Sequence, residues 1–251
     1  MRHIRGVLPN PFPGWSAADD TSPAQWFAEA IAAPEAPSDE FTVAAVVPAG
    51  YEAYGRLIHP AYKASDDASD RVQMRQIVAP ERQSWIVRTP IFGALTGWPE
   101  GDATAELICP WRGTPDPDDL ADLIDVLVAH TSTPDQIWGL AWPGWGVRPE
   151  CDWLEAETPH VRIGYDEFGL IHGPLADVTL IASRLQYAPS HWWPQDRAWA
   201  VGTSLEDLST YIAGDGACID ALIADDRYEV HHAEPDNPVW MKPYYPGRAS
   251  G

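Results

Sequence analysis

Lysine is nearly missing from this 251-residue chain: Lys63 and Lys242 are the only two, and the other basic residues are arginine. Sixteen bases stand against thirty-seven acids, for a formal net charge of −21. Such a surface repels phosphate, which argues against nucleic-acid binding by general electrostatics. Cysteine is scarce as well. Cys109, Cys151 and Cys218 are odd in number and far apart, so they form neither a disulfide framework nor a CxxC metal knuckle. No apolar run approaches the roughly 18 residues of a membrane span, and no apolar stretch follows Arg2 and Arg5. The expectation is a soluble, cytoplasmic protein with no membrane partner.

The motifs of common catalysts are absent too. There is no GxxxxGK[ST], no GxGxxG between a strand and a helix, no HExxH and no GxSxG. No cofactor is expected and no catalytic residue is assigned. A convergent site on an unfamiliar fold stays open, because such sites are defined by geometry. The acid run DPDDLADLID lacks the glycine and the glutamate of a calcium loop, and reads as a capped, solvated helix face. His231 and His232 are adjacent, and on a strand they point to opposite faces, so no metal is expected there.

Hydrophobic residues at 45% and charged residues at 21% are globular proportions, whereas 25 prolines are about twice the usual share. Many short elements joined by stiff turns are implied. Residues 1–20 hold three prolines and no period, and read as a flexible arm. A helix begins at Ser22 as cap, with Pro23 in the first turn and Gln25 completing a capping box. FTVAAVVP reads as a buried strand, residues 64–71 as an acidic loop, and SWIVR as a short strand; YEAYGRLIHP fits both a strand and a helix face, and His59-Pro60 favours the strand. The clearest helix starts after Asp116 and Pro117, with Leu120, Leu123, Ile124, Leu127 and Val128 on one face. IWGLAW reads as a strand, HVRIG and GLIHG as a hairpin, and Pro174 opens a helix. AWAVGT and STYIAG are strands, and a last helix carries Cys218, Ile219, Leu222 and Ile223. The sum is α+β, with a mixed, mainly antiparallel sheet flanked by short helices. It would form one domain over 21–242, followed by a flexible tail over 243–251.

Thirteen tryptophans are the most distinctive feature. IWGLAWPGWG brings together Trp138, Trp142 and Trp145. SHWWPQDRAW brings together Trp192, Trp193 and Trp199 with Asp196 and Arg197. Flat rings interleaved with Asp and Arg suit both protein hot spots and sugar sites, and the other reading is that these are core and corner residues of a tryptophan-rich protein. Consecutive Trp192 and Trp193 on an extended strand should not both point inward, so one is expected at the surface. The candidate binding residues are Trp192, Trp193, Asp196, Arg197 and Trp145, with His59 and Arg56 from the strand that ends at Pro60.

The runs WWPQDRAWAVGT, STYIAG and IDALIADDRYEV resemble the C-terminal half of a family of uncharacterised actinobacterial proteins. GYEAYGRLIHPA, TPDQIWGLAWPGWG and HGPL resemble further blocks in the same order. The resemblance covers about half the chain and departs from the family pattern at Pro143 and Ala200. It implies no activity and no site residues. The leading expectation is an acidic, non-catalytic protein-binding module of the immunity or antitoxin kind, with a basic-faced protein as partner. The alternative is a small enzyme or carbohydrate-binding domain using the Trp/Asp/Arg cluster, with His59 or His191 as acid–base group. A DNA mimic ranks last, because its acids would be diluted among neutral residues.

Overall fold

Strands whose apolar residues alternate bury one face, and strands with no polar break bury both. The computed structural model of the chain contains both kinds, and describes residues 7–31, 41–63, 70–77, 107–108, 110–205 and 207–240. The strands are β1 (Ser16–Ala17), β2 (Phe41–Thr42), β3 (Ala53–Ile58), β4 (Ala61–Lys63), β5 (Arg71–Val72), β6 (Leu107–Ile108) and β7 (Ile137–Ala141). They continue with β8 (His160–Ile163), β9 (Asp166–Gly173), β10 (His191–Pro194), β11 (Ala200–Gly202), β12 (Ser209–Gly214), β13 (Val230–Ala233) and β14 (Pro238–Trp240). The helices are α1 (Ser22–Ala30), α2 (Met74–Ile77), α3 (Pro117–Leu127), α4 (Pro149–Glu157), α5 (Val178–Leu185) and α6 (Gly216–Ala224).

Among the described residues nine strands form the main sheet, in the order β1-β9-β7-β10-β11-β12-β3-β13, and β8 joins β1 along the outer edge of β9. Every pairing in it is antiparallel. The α+β expectation holds. Strands β11 and β12, both legible as strands, pair antiparallel with Ala200 opposite Ala213, and α6 packs Ile219 and Leu222 against the core that holds Val201 and Ile212.

Period two divides the side chains between two cores. On one face Leu57, Ile137, Ile171, Trp192, Val201 and Ile212 meet the apolar stripes of α3, α4, α5 and α6. On the other, Leu140, Phe168, Leu170, Trp193 and Ala200 meet Ala24 and Phe27 of α1. Further along that second face, Tyr54, Tyr211 and Ala213 lie under Val43, Val46 and Val47. Trp192 and Trp193 are each only 1% exposed. The expectation that one of them reaches the surface is therefore overturned: opposite sides of β10 are both inside, because the sheet is covered on both faces.

Other expectations are corrected by local chemistry. Residues 7–20 are no free arm: Phe12 and Trp15 are buried, and Trp15 Nε1 donates to the Pro174 carbonyl at 3.2 Å. Gly173 lies flat beneath that indole, where any Cβ would collide with the ring. Ser22 is the first residue of α1 and not its cap, and Gln25 bonds Glu29 at 2.8 Å instead of closing a capping box. Only the start of FTVAAVVP is strand, since Val43–Ala45 turn into a buried 3-10 helix. Asp116 does cap α3, with Oδ1 accepting from the Asp118 amide at 2.9 Å. The 84–88 strand, most of the 64–71 loop, residues 1–6 and the 243–251 tail lie outside the described residues.

Replacing Trp192 or Trp193 with alanine should destabilise the fold by about 3–5 kcal/mol each. Urea unfolding of the two single variants measures it. A loss below about 1 kcal/mol in either would contradict the two-sided packing of β10.

Candidate functional site

After Pro194 the chain turns, with the Arg197 amide donating to the Pro194 carbonyl at 2.8 Å and Arg197 held at φ 57°. Asp196 and Arg197 are exposed, yet both serve this turn. The Asp196 carboxylate accepts from Thr131 Oγ1 at 2.9 Å and from the Ser132 amide and hydroxyl at 2.7 Å each. Partial burial works to raise its pKa, but the hydrogen bonds from Ser132, Thr131 and Ala198 prevail and hold it below the usual carboxylate range. Arg197 lies over the Trp26 ring at 4.5 Å, and its carbonyl accepts from the Tyr51 hydroxyl at 3.0 Å. Trp26 in turn meets Trp193 edge-on at 5.7 Å. The segment expected to recognise a partner is a corner that locks α1 and the 131–133 turn to the sheet.

Arg56 and His59 are interior residues. Arg56 Nε donates to Ser209 Oγ at 2.9 Å, and its guanidinium lies 5.7 Å from the Tyr211 ring centre. His59 sits with Nδ1 2.8 Å from the Trp111 carbonyl and Nε2 2.9 Å from Thr210 Oγ1. Burial lowers its pKa to about 4. His191 is likewise buried, with Nδ1 3.0 Å from the Val46 carbonyl and a pKa pushed by burial to about 4. Both imidazoles are neutral at pH 7 and closed off from solvent. His231 pairs with Glu229 at 2.8 Å, and His232 is exposed on the other face of β13. Among the described residues no group of three or more His, Cys, Asp or Glu side chains is placed to hold a metal ion.

Trp145 is the one predicted residue that leads to an open site. Its ring lies flat on Tyr187, 3.4 Å between centroids and 2° between planes, and Trp142 meets it edge-on at 4.8 Å. The Trp142 ring covers Gly144, where a Cβ has no room. This aromatic stack anchors the 143–148 loop beside α4 and the β8–β9 hairpin, and the three enclose an open cleft of about 580 Å³. Asp152 and Glu155 of α4 and Asp166 and Glu167 of β9 line it, against one cation among the described residues, Arg162. Trp142, fully exposed Val147 and half-exposed Tyr165 supply apolar surface. Burial raises the pKa of Asp166. Cys151 lies on the cleft wall, and burial raises its thiol pKa too, so it stays protonated and unreactive at neutral pH.

None of these acids stood among the sequence candidates. YDEF read only as a turn, and PECDWLEAE was not recognised as a helix. The available signal was six acids within residues 150–167, flanking exposed aromatic positions. Compared with protein-family models, curated proteins and solved structures, the chain matches none.

Burial of His191 predicts an acid-sensitive contribution to stability. The unfolded histidine takes a proton near pH 6.5 and the folded one only near 4, so its contribution is full above about 6.5 and is lost as pH falls towards 4. Asp207, pushed up to about 6 by burial, works in the opposite sense, because the folded form protonates first. The informative quantity is therefore the stability difference between wild type and His191→Gln, from urea melts at neutral pH and about pH 4.5. It should shift against the wild type on acidification. A pH-independent difference would show that the folded imidazole accepts its proton as readily as the unfolded one.

Proposed function

We propose that the chain is an acidic, non-catalytic protein-binding module of the cytoplasm whose partner presents a basic face, as immunity and antitoxin proteins require. The observation that carries this reading is the open cleft, where four carboxylates and exposed apolar side chains share one surface with a single cation. One-sign charge speeds encounter with an oppositely charged partner and suppresses wrong ones, while the apolar area supplies the contact that charge alone does not. We also propose common ancestry with the actinobacterial proteins whose sequence blocks it resembles.

The alternative of a small enzyme or sugar-binding domain has less support. Its acid–base candidates His59 and His191 are enclosed, and Trp192 and Trp193 offer no ring face to a sugar. Nucleic acid is disfavoured by charge, and among the described residues no helix is long and apolar enough to cross a membrane.

Affinity capture with the tagged chain from its native host, at low and at high salt, tests the proposal. The expected result is a basic protein retained at low salt and released at high salt, as screening requires. A partner that is acidic, or one held equally at both salts, would count against it.

A further inference from the structure

Resting on that reading, we propose that the cleft between the 143–148 loop, α4 and the β8–β9 hairpin is the docking site, and that its occupant is an arginine side chain on an exposed loop of the partner. The first support is charge left unanswered. Among the described residues no cation pairs with Asp152, Glu155 or Asp166, while Glu167 holds Arg162 at 3.3 Å through two exposed side chains. An exposed pair of this kind contributes little to stability, so it yields readily to a competing guanidinium.

The acids of α3 and the adjoining 225–227 turn give the contrast. There Arg227 already bridges Asp122, Asp125 and Asp225 at 2.5, 3.3 and 2.7 Å, and Arg71 joins Asp116, Asp118 and Asp119. That acidic face supplies its own counter-charge. The cleft does not.

The second support is aromatic surface beside the carboxylates. A guanidinium lies flat on rings and grips carboxylates with two parallel bonds, whereas an ammonium is a hydrated point charge. Trp142 is held in place by the Trp145–Tyr187 stack, so it meets a ligand without first being ordered. Tyr165 stands at the hairpin tip, 51% exposed. The third support is access: the cleft is open to solvent, so a side chain can enter together with the backbone that carries it. Helix α4 also breaks a local rule here: Glu155 and Glu157 occupy its last turn, where the dipole favours cations, and no basic residue is present there.

The test is calorimetric titration of the full chain with a capped peptide carrying several arginines in a glycine–serine background, and with its lysine twin. The arginine peptide should bind about two- to fivefold tighter than the lysine one, the margin expected of an exposed ring contact. The triple variant Asp152→Asn, Glu155→Gln, Asp166→Asn should weaken both peptides about tenfold or more, since it removes three charges that face the ligand. Tyr165→Ala should reduce the arginine preference, Trp142 retaining its share, and leave lysine binding unchanged. Neutralising Asp118, Asp122 and Asp125 on α3 should change neither peptide by more than about twofold. All substituted side chains are at least partly exposed, and thermal melts confirm that each variant is folded.

Equal binding of the two peptides by wild type, no binding of either at millimolar concentration, or equal losses from the α3 and cleft triples would each overturn the proposal. In host capture, a basic, salt-sensitive partner held equally by wild type and the cleft triple would overturn the docking site and leave the binding reading standing. Absence of any such partner with wild type would sink both.

Discussion

Everything in this fold follows from covering the nine-stranded sheet on both faces. Strand β10 lies inside it with β7 on one side and β11 on the other, and its two tryptophans drive into different cores. All described side chains of β10, β11 and β12 are buried. No polar group on these strands has water to turn to, so each must find a partner in the protein or carry a desolvation cost. The chain of contacts from the Trp111 carbonyl through His59 and Thr210 to Thr203 is one answer, and Arg56 with Ser209 is another. The same dryness keeps His59 and His191 neutral and raises Asp207. What resembles catalytic chemistry in the sequence is the internal wiring around central strands that see no solvent.

Tryptophan is the filler this arrangement needs. Its area spans the space between sheet and helices, and its one N–H reaches a carbonyl at the margin of the core. Trp199 donates to the Leu127 carbonyl at 3.1 Å, tying β11 to the end of α3, and Trp15 ties the N-terminal segment to Pro174. With the interior spent in this way, exposed apolar surface is left to the rim. There the 143–148 loop and the β8–β9 hairpin project beyond the layers, and Val147 and Tyr165 keep their apolar surface in water.

Legibility in the sequence tracked how far a pattern is local. Helix α3 was plain, because capping by Asp116, Pro117 in the first turn and a leucine stripe are all short-range signals. The β8–β9 hairpin, β7, β12 and α6 were legible for the same reason. Phe12 and Trp15 were misassigned because three prolines hide a segment that is ordered by tertiary contact alone. Helix α4 was missed because Cys151, Trp153 and Leu154 interrupt an otherwise charged run without a clean period. Trp192 and Trp193 were misplaced by assuming a sheet with one wet face, a property of the whole fold that no window of residues contains. The cleft was illegible for a related reason: Glu155 and Asp166 become neighbours only when α4 packs beside the hairpin.

The cleft also explains why so acidic a surface is tolerable. Like charges on Asp152 and Glu155, three residues apart on one helix, oppose folding by a few tenths of a kcal/mol. Asp166 adds the cost of a carboxylate partly withdrawn from water. Neither is needed to hold α4, whose stability comes from Leu154 and Trp153 in the core and from Glu157 receiving the Leu8 amide at 2.9 Å. A fold stabilised by two-sided burial can carry such local conflict without losing its structure. Local rules are broken at this rim because the two-sided core supplies the stability that the rim does not.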